Sequence, residues 1–269
     1  MKNKSWRLYL SIAIISILVI GLGYSGFKKF ASRDFKEIKS SGILRIETEY
    51  NSIGFFVSGD SLSGFQYELS RLLQKRFGIR AEIHPVMSLK ESMQGLSQKK
   101  YDIIARPIPV TTELKGHYLF TSPILYHKQV LVQRKKGMGK PSVLLRNQIN
   151  LIKRTIYISK NSPALLRIRN LSNEIGDTIY VKEEEKYSDE QLIAMVAKGS
   201  IDYAVCDQPL ARKMVRLFPE IDIETDISFT QFQSWMVRKD SKALLDSINV
   251  WLSEIKKSKK FQELYLKYY

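Results

Sequence analysis

The sequence predicts an α/β protein of two lobes, each built on a parallel-rich sheet. Three observations carry this reading. Residues 43–105 read as strand, helix, strand, helix, strand, an order that implies a parallel sheet covered by helices. A second cycle of the same kind follows from residue 142 to residue 218. Two stretches about one hundred positions apart also share one grammar. Residues 99–107 (KKYDIIARP) pass from a helix end through Asp102 and an apolar strand to Arg106. Residues 199–209 (GSIDYAVCDQP) pass from a Gly-Ser break through an Asp and an apolar strand to Asp207. The offsets differ, four residues in one and five in the other, so the repeat is approximate. In open α/β sheets, ligands bind beyond the carboxyl ends of the strands. Two such units ending in opposite charges suggest two lobes facing one small ligand.

The elements follow in order. Residues 43–47 (ILRIE) alternate and are β-rich, a first strand. Residues 51–64 form a glycine-bearing loop that carries Phe55 and Phe56. Residues 65–77 set Phe65, Leu69, Leu72 and Leu73 on one helical face. Residues 80–85 are a second strand. Ser88 with Glu91 three positions later reads as a cap for a helix over 88–98. Residues 101–105 are the third strand, and 106–119 a loop with two prolines. Residues 128–134 (KQVLVQR) are a strand, and 135–141 a basic connector. The second cycle places a helix at 142–150 and a strand at 155–159. A helix follows with Ser162 as cap and Pro163 at its first position. Then come a strand at 178–182, a helix at 188–198, a strand at 201–206 and a helix at 209–218. Residues 231–238 (QFQSWMVR) return as a strand, and amphipathic helices at 241–257 and 261–268 close the chain.

At 269 residues there is room for an anchor plus one large or two medium domains. With 44% hydrophobic residues the chain can bury a core, which argues against disorder. The net charge of +16 favours anionic surroundings, or is a solvated surface. No basic block is interleaved with aromatics as a nucleic-acid face would be, so no nucleic-acid partner is expected. Cys206 is the single cysteine, which excludes an internal disulfide, and its apolar neighbours mark it as a buried hydrophobe. His84, His117 and His127 lack metal-ligand spacing, so no metal and no cofactor is expected. No nucleophile, metalloprotease, phosphate-loop or dinucleotide motif is present, and the chain reads as non-catalytic.

Lys2, Lys4 and Arg7 precede an uncharged run at 8–27 of bilayer-spanning length. Two readings compete: a cleaved signal peptide ending near Gly21, Gly23 and Ser25, or an uncleaved anchor with a cytoplasmic N-terminus. The uncleaved anchor is preferred, with residues 31–41 a polar juxtamembrane segment. Either way the remainder is exported to the periplasmic side of the inner membrane.

Residues 42–269 resemble the family 3 bacterial extracellular solute-binding proteins, two-lobed periplasmic receptors of polar amino-acid uptake. The resemblance rests on GILRIETEYNSIGFF with LSGFQYELSRLLQKRFG, on VTTELKGHYLFTSPI at 110–124, on GSIDYAVCD at 199–207 and on SWMVRKDSKALLDSINVWL at 234–252. The second half is similar to the binding domain of the membrane-bound lytic murein transglycosylase F family, where a catalytic domain follows. That catalytic domain is expected to be absent beyond Tyr269. The resemblance implies a periplasmic-binding-protein-like fold. Lobe 1 would be 42–127 plus 232–269, and lobe 2 would be 128–231. Crossover strands near 128–132 and 234–237 would form a hinge that closes on a ligand.

The resemblance also implies site roles. Asp207 matches the carboxylate that holds a ligand ammonium, against the plainer reading of a helix N-cap. Ser162, with Asn161, matches the helix start that holds a ligand carboxylate, or is a plain cap. Thr111 and Thr112 match a turn whose carboxylate-clamping arginine falls on Leu114, which cannot replace a guanidinium. Arg106 or Lys115 are the candidate substitutes. Phe55 and Phe56 are candidates to stack on the ligand or to pack on the sheet. The expected function is exported binding of an amino acid, short peptide or muropeptide-like ligand, for transport or sensing. An ABC transporter permease or a murein-processing enzyme would be the partner. The alternative is a structural or regulatory cell-envelope protein that docks murein or a murein enzyme, its ligand site degenerate.

Overall fold

Two mixed sheets carry the fold of the computed structural model, which describes residues 33–137 and 144–269. The hydrophobic run 8–27 lies outside the described residues, as does most of the connector at 135–141 together with the first residues of the helix expected at 142–150. No helix among the described residues is long and apolar enough to cross a membrane.

The first sheet takes β1 (Ile43–Glu49), β4 (Arg80–Val86), β5 (Ile103–Pro109), β6 (Tyr118–Phe120), β7 (Leu125–His127) and β13 (Gln231–Arg238). Its order is β4-β1-β5-β13-β6, with β7 also on β13. Strands β4, β1 and β5 run parallel, and β13 is antiparallel to β5. A small hairpin, β2 (Phe56–Ser58) with β3 (Ser61–Ser63), stands apart. The second sheet takes β8 (Gln129–Arg134), β9 (Thr155–Ser159), β10 (Tyr180–Glu184), β11 (Ala204–Asp207) and β12 (Ile221–Asp226) in the order β10-β9-β11-β8-β12. Its first three strands are parallel, and β8 is antiparallel to β11. Each sheet therefore joins three parallel strands to one antiparallel strand from elsewhere in the chain. The chain crosses between sheets at Lys128 and again after Asp226, where Lys128 Nζ and Asp226 Oδ2 lie 2.6 Å apart.

The approximate repeat has a physical basis. Asp102, fully buried before β5, accepts from Arg45 N at 3.0 Å and pairs with Arg238 at the end of β13. Asp202, before β11, pairs with Arg134 at the end of β8 at 2.9 Å. Arg238 also donates to Tyr101 O, and Arg134 to Val196 O and Ile201 O. In both halves an arginine from the antiparallel strand ties down the start of a central parallel strand. Both guanidiniums are buried; Asp102 is buried with its partner, while Asp202 stands 53% exposed.

Helices cover the sheets with apolar faces. Phe65, Leu69 and Leu73 of the helix Phe65–Phe77 join Trp235, Leu244, Ile248, Trp251 and Leu252 in the first core. Trp235 Nε1 donates to Gln66 Oε1 at 2.7 Å, so the largest buried ring leaves no polar atom unmet. Leu192, Ile193 and Val196 pack under the second sheet with Val130, Val132, Leu210 and Met214.

Several elements depart from expectation. The segment expected to be polar juxtamembrane chain holds a helix, Phe35–Ser41, fixed by a capping box between Asp34 and Glu37 and by buried Ile38. The third strand runs on to Pro109. Its ladder with β1 reaches only Ile104, so Pro107 and Pro109 withhold no donor from that side. The predicted loop then contains a short helix, Thr112–His117. Strand β12 was not expected, because its charges mask its alternation; Asp222 is buried there by pairing with Arg146 at 2.7 Å. In place of a helix at 142–150 the described part holds one 3-10 turn, Gln148–Leu151.

Gly64 starts the helix Phe65–Phe77 at φ +130°, and a Cβ there would lie 2.2 Å from Gly54 O. Gly64→Ala is expected to lower stability by about 2 kcal/mol or more in denaturant unfolding. A loss under about 0.5 kcal/mol would contradict this placement.

Candidate functional site

A cavity of about 410 Å³ lies where strand ends of the two sheets approach one another. From the first sheet it is lined by Glu49 at the end of β1 and by Arg106 in β5. From the second sheet come Ser159 at the end of β9, Asp207 at the end of β11, and Asp189 at a helix start. His127, Gln129 and Tyr269 complete its inner part, and Tyr50 and Tyr187 also line it. Contacts cross between the sheets beside it. Ser52 N donates to Glu190 Oε1 at 2.8 Å, Lys213 Nζ donates to Ser52 O, and Ile53 packs into the core of the second sheet.

Asp207 ends β11 and lines the cavity. It stands at the N-cap position of the helix Gln208–Val215 yet makes no side-chain capping bond. Its carboxylate is about one-third exposed to the cavity, and Oδ2 lies 3.8 Å from His127 Nδ1, beyond hydrogen-bond reach. The capping alternative is thus not realised.

Asn161 and Ser162 also line the cavity, but the helix begins one residue later than expected, at Ala164, with Pro163 at the N-cap position. The donors at this turn are in use. Asn161 N donates to Glu183 Oε1 at 3.0 Å, Ser162 N to Ser159 O at 3.0 Å and Ala164 N to Ser162 Oγ at 3.3 Å.

Arg106 is buried and does not stand as an open cation. It pairs with Glu49 Oε1, lies 3.7 Å from Glu47 Oε1, and donates to Ser92 Oγ at 3.2 Å. Burial opposes its charge, but Glu49 and Glu47 outweigh burial and raise its pKa. Glu47, with no exposed surface, is the surplus partner. Burial pushes its carboxyl up to about 7, against the pull of Arg106 and the hydrogen bond from Ser92. The folded protein therefore binds this proton more tightly than the unfolded chain does. Its stabilising contribution is full below about pH 4.5 and is lost as pH rises through about 7. Unfolding free energy is expected to fall less between pH 5 and pH 8 in Glu47→Gln than in the parent. Equal falls in urea titrations at the two pH values would refute this.

Asp189 sits in the first turn of the helix Asp189–Ala197. Burial pushes its carboxyl up to about 7; hydrogen bonding to Ser159 opposes this, and Glu49 and Asp207 add to it. Burial, Asp189 and Asp207 together push the Cys206 thiol well up, so it is a neutral buried side chain and not a nucleophile. Among the described residues no group of His, Cys, Asp and Glu is placed to hold a metal ion.

The other candidates fall outside the cavity lining. Thr111 caps the helix Thr112–His117 by accepting from Leu114 N at 3.2 Å, and Leu114 packs beside Leu96, Ile104 and Met236. Phe55 is buried against Tyr67, 5.7 Å between ring centroids. Phe56 meets Tyr268 edge-on, with Lys213 5.0 Å from its centroid. Both rings meet helix residues of the protein. Sequence reasoning missed Glu49, Gln129, Asp189 and Tyr269. Glu49 was reachable, because it ends a strand as Asp207 does. Asp189 is hidden by looking like an ordinary first-turn acid.

Comparison with known proteins agrees with this geometry. The family model of bacterial extracellular solute-binding proteins, family 3, matches residues 43–269. The chain is 25% identical over 237 residues to membrane-bound lytic murein transglycosylase F of Photobacterium profundum, covering 88% of this chain and 45% of that protein. It is 25% identical over 252 residues to the protein of the same name from Desulfosudis oleivorans, covering 94% and 54%. The chain thus spans about half the length of the curated relatives it matches. A crystal structure of a mutant of ArgBP from T. maritima superposes with TM-score 0.75 at 26% identity, covering 87% of this chain and 97% of that one. A putative binding component of an ABC transporter from Wolinella succinogenes, complexed with lysine, has TM-score 0.71 at 20% identity, covering 84% and 95%, and shares the fold. The two mixed sheets, the strand-end cavity between them and a family match from the first strand to the last residue lead to one statement: this chain belongs to the bacterial extracellular solute-binding proteins, family 3.

Proposed function

We propose that the chain is an exported, non-catalytic binding protein that closes on one small polar ligand, for transport or sensing. The observation that carries this is Asp207. A strand-end carboxylate faces a cavity, is not spent on its own helix, and has no hydrogen bond within the protein. Such a group is left to take a cationic group from outside.

In this reading the lobes are residues 42–127 with 232–269, and residues 128–231. They turn about the crossovers near Lys128 and Ser234, and Glu190, Lys213 and Ile53 form the contacts of closure. The run 8–27 anchors the protein on the periplasmic side of the inner membrane, uncleaved. An ABC transporter permease or a murein-processing enzyme receives the closed form.

Thermal melting with amino acids, short peptides and muropeptides tests the reading. A ligand at 100 times its dissociation constant adds about 2.7 kcal/mol, which raises the melting temperature of a chain this size by several degrees. If no member of the three panels raises it, the binding reading fails. The chain would then be a cell-envelope docking protein, which pull-down with murein would show.

A further inference from the structure

At the positions expected to hold an anion the donors are already used, while several acceptors of the cavity are left open; Lys90, Lys160 and Lys186 also line the cavity, and Lys160 pairs with Glu185. On the donor side, Arg106 is neutralised by Glu49 and Glu47, and Leu114 stands packed in a core. The backbone N–H groups of Asn161, Ser162 and Ala164 all have partners within the protein. An anionic group entering the cavity meets no open donor at any of these positions.

On the acceptor side, Gln129 is 4% exposed and lines the cavity, and its Oε1 accepts no hydrogen bond. His127 is 5% exposed and lines it too, with neither ring nitrogen hydrogen-bonded, so the neutral ring leaves one acceptor and one donor open. Asp189 Oδ1 is likewise buried without a partner, and Asp207 is open. Buried acceptors without partners are costly and are rare in folded proteins. Six carboxylates against four basic side chains line this cavity, in a chain whose net charge is +16. The acid excess is local, against the sign of the whole molecule.

We infer that the cavity takes a small organic cation rich in N–H donors, an amine or a guanidine, and that recognition requires no carboxylate on the ligand. Ammonium or guanidinium hydrogens supply the donors that Asp207, Asp189 and Gln129 lack. This rests on the binding reading above and goes beyond it in naming the ligand class and in dismissing the carboxylate.

Calorimetric titration of the full chain with matched pairs tests it. Arginine is compared with agmatine, and lysine with cadaverine, since each pair differs by one carboxylate. Each amine is expected to bind within about threefold of its amino acid, or more tightly. A working carboxylate clamp would instead favour the amino acid by roughly tenfold to hundredfold. Gln129→Leu is expected to weaken the amines at least about threefold while leaving the melting temperature of the free protein unlowered, because it removes a buried unpaired acceptor. Amino acids binding more than about thirtyfold tighter than their amines would overturn the inference and leave the binding reading standing. So would silence from all four probes with a muropeptide that still raises the melting temperature. Silence from the four probes and from every panel would overturn both.

Discussion

Replacing Arg106 with methionine is expected to lower folding stability by about 3–5 kcal/mol. The side chain is buried, and its guanidinium is the only cation shown against Glu47 and Glu49 among the described residues. Methionine restores the apolar stem but leaves the fully buried Glu47 and the part-exposed Glu49 without their cation. Breaking a buried pair in this way costs far more than the pair contributes over a well-packed apolar substitute. The loss is also expected to depend on pH. Without the cation, the Glu47 carboxyl is pushed up further in the folded state, so the stability that its protonation gives is present at low pH and lost as pH rises. Urea unfolding should show a larger deficit at pH 8 than at pH 5. Adding Glu47→Gln should restore part of the deficit at pH 8. A deficit under about 1 kcal/mol, or one larger at pH 5, would contradict this description of Arg106.

The second large effect concerns affinity. Asp207→Asn is expected to cost about 2–5 kcal/mol of ligand binding, the range for truncating one partner of a desolvated charge pair. The same substitution should scarcely change the free protein, because Asp207 makes no capping bond and no hydrogen bond within the chain. Melting with and without ligand separates the two quantities. A variant that melts like the parent when free, but gains no more than a small fraction of the ligand shift, is the expected result. A variant that loses stability when free would show that Asp207 serves the fold.

Much of the fold was legible because its signals are local. The apolar face of Phe65–Phe77 and the apolar strands before Arg106 and Asp207 each follow from spacing within a few residues. The strand β12 was not, since Asp222 enters the interior by meeting Arg146 and Gln133, 76 and 89 residues away in sequence. The helix Phe35–Ser41 lay hidden behind the expectation of a juxtamembrane segment, although Asp34 and Glu37 spell its capping box.

The site was legible in part, for the same reason. Asp207, Arg106, Asn161 and Ser162 all line the cavity, because strand ends and helix starts can be read locally. Their state could not be read. The two glutamates that pair with Arg106 lie on β1, over fifty residues earlier, on either side of Thr48. Gln129 and Asp189 become notable only through partners they lack, which is a property of the assembled interior. Thr111, Phe55 and Phe56 meet other protein groups, and Thr112 opens a helix outside the cavity lining.

Equilibrium dialysis of the full chain against the ligand found by melting, followed by mass analysis of both compartments, tests binding without chemistry most directly. The account predicts one ligand retained per chain, recovered unaltered, and retention lost in Asp207→Asn. Recovery of an altered ligand, or equal retention by the Asp207→Asn variant, would contradict it.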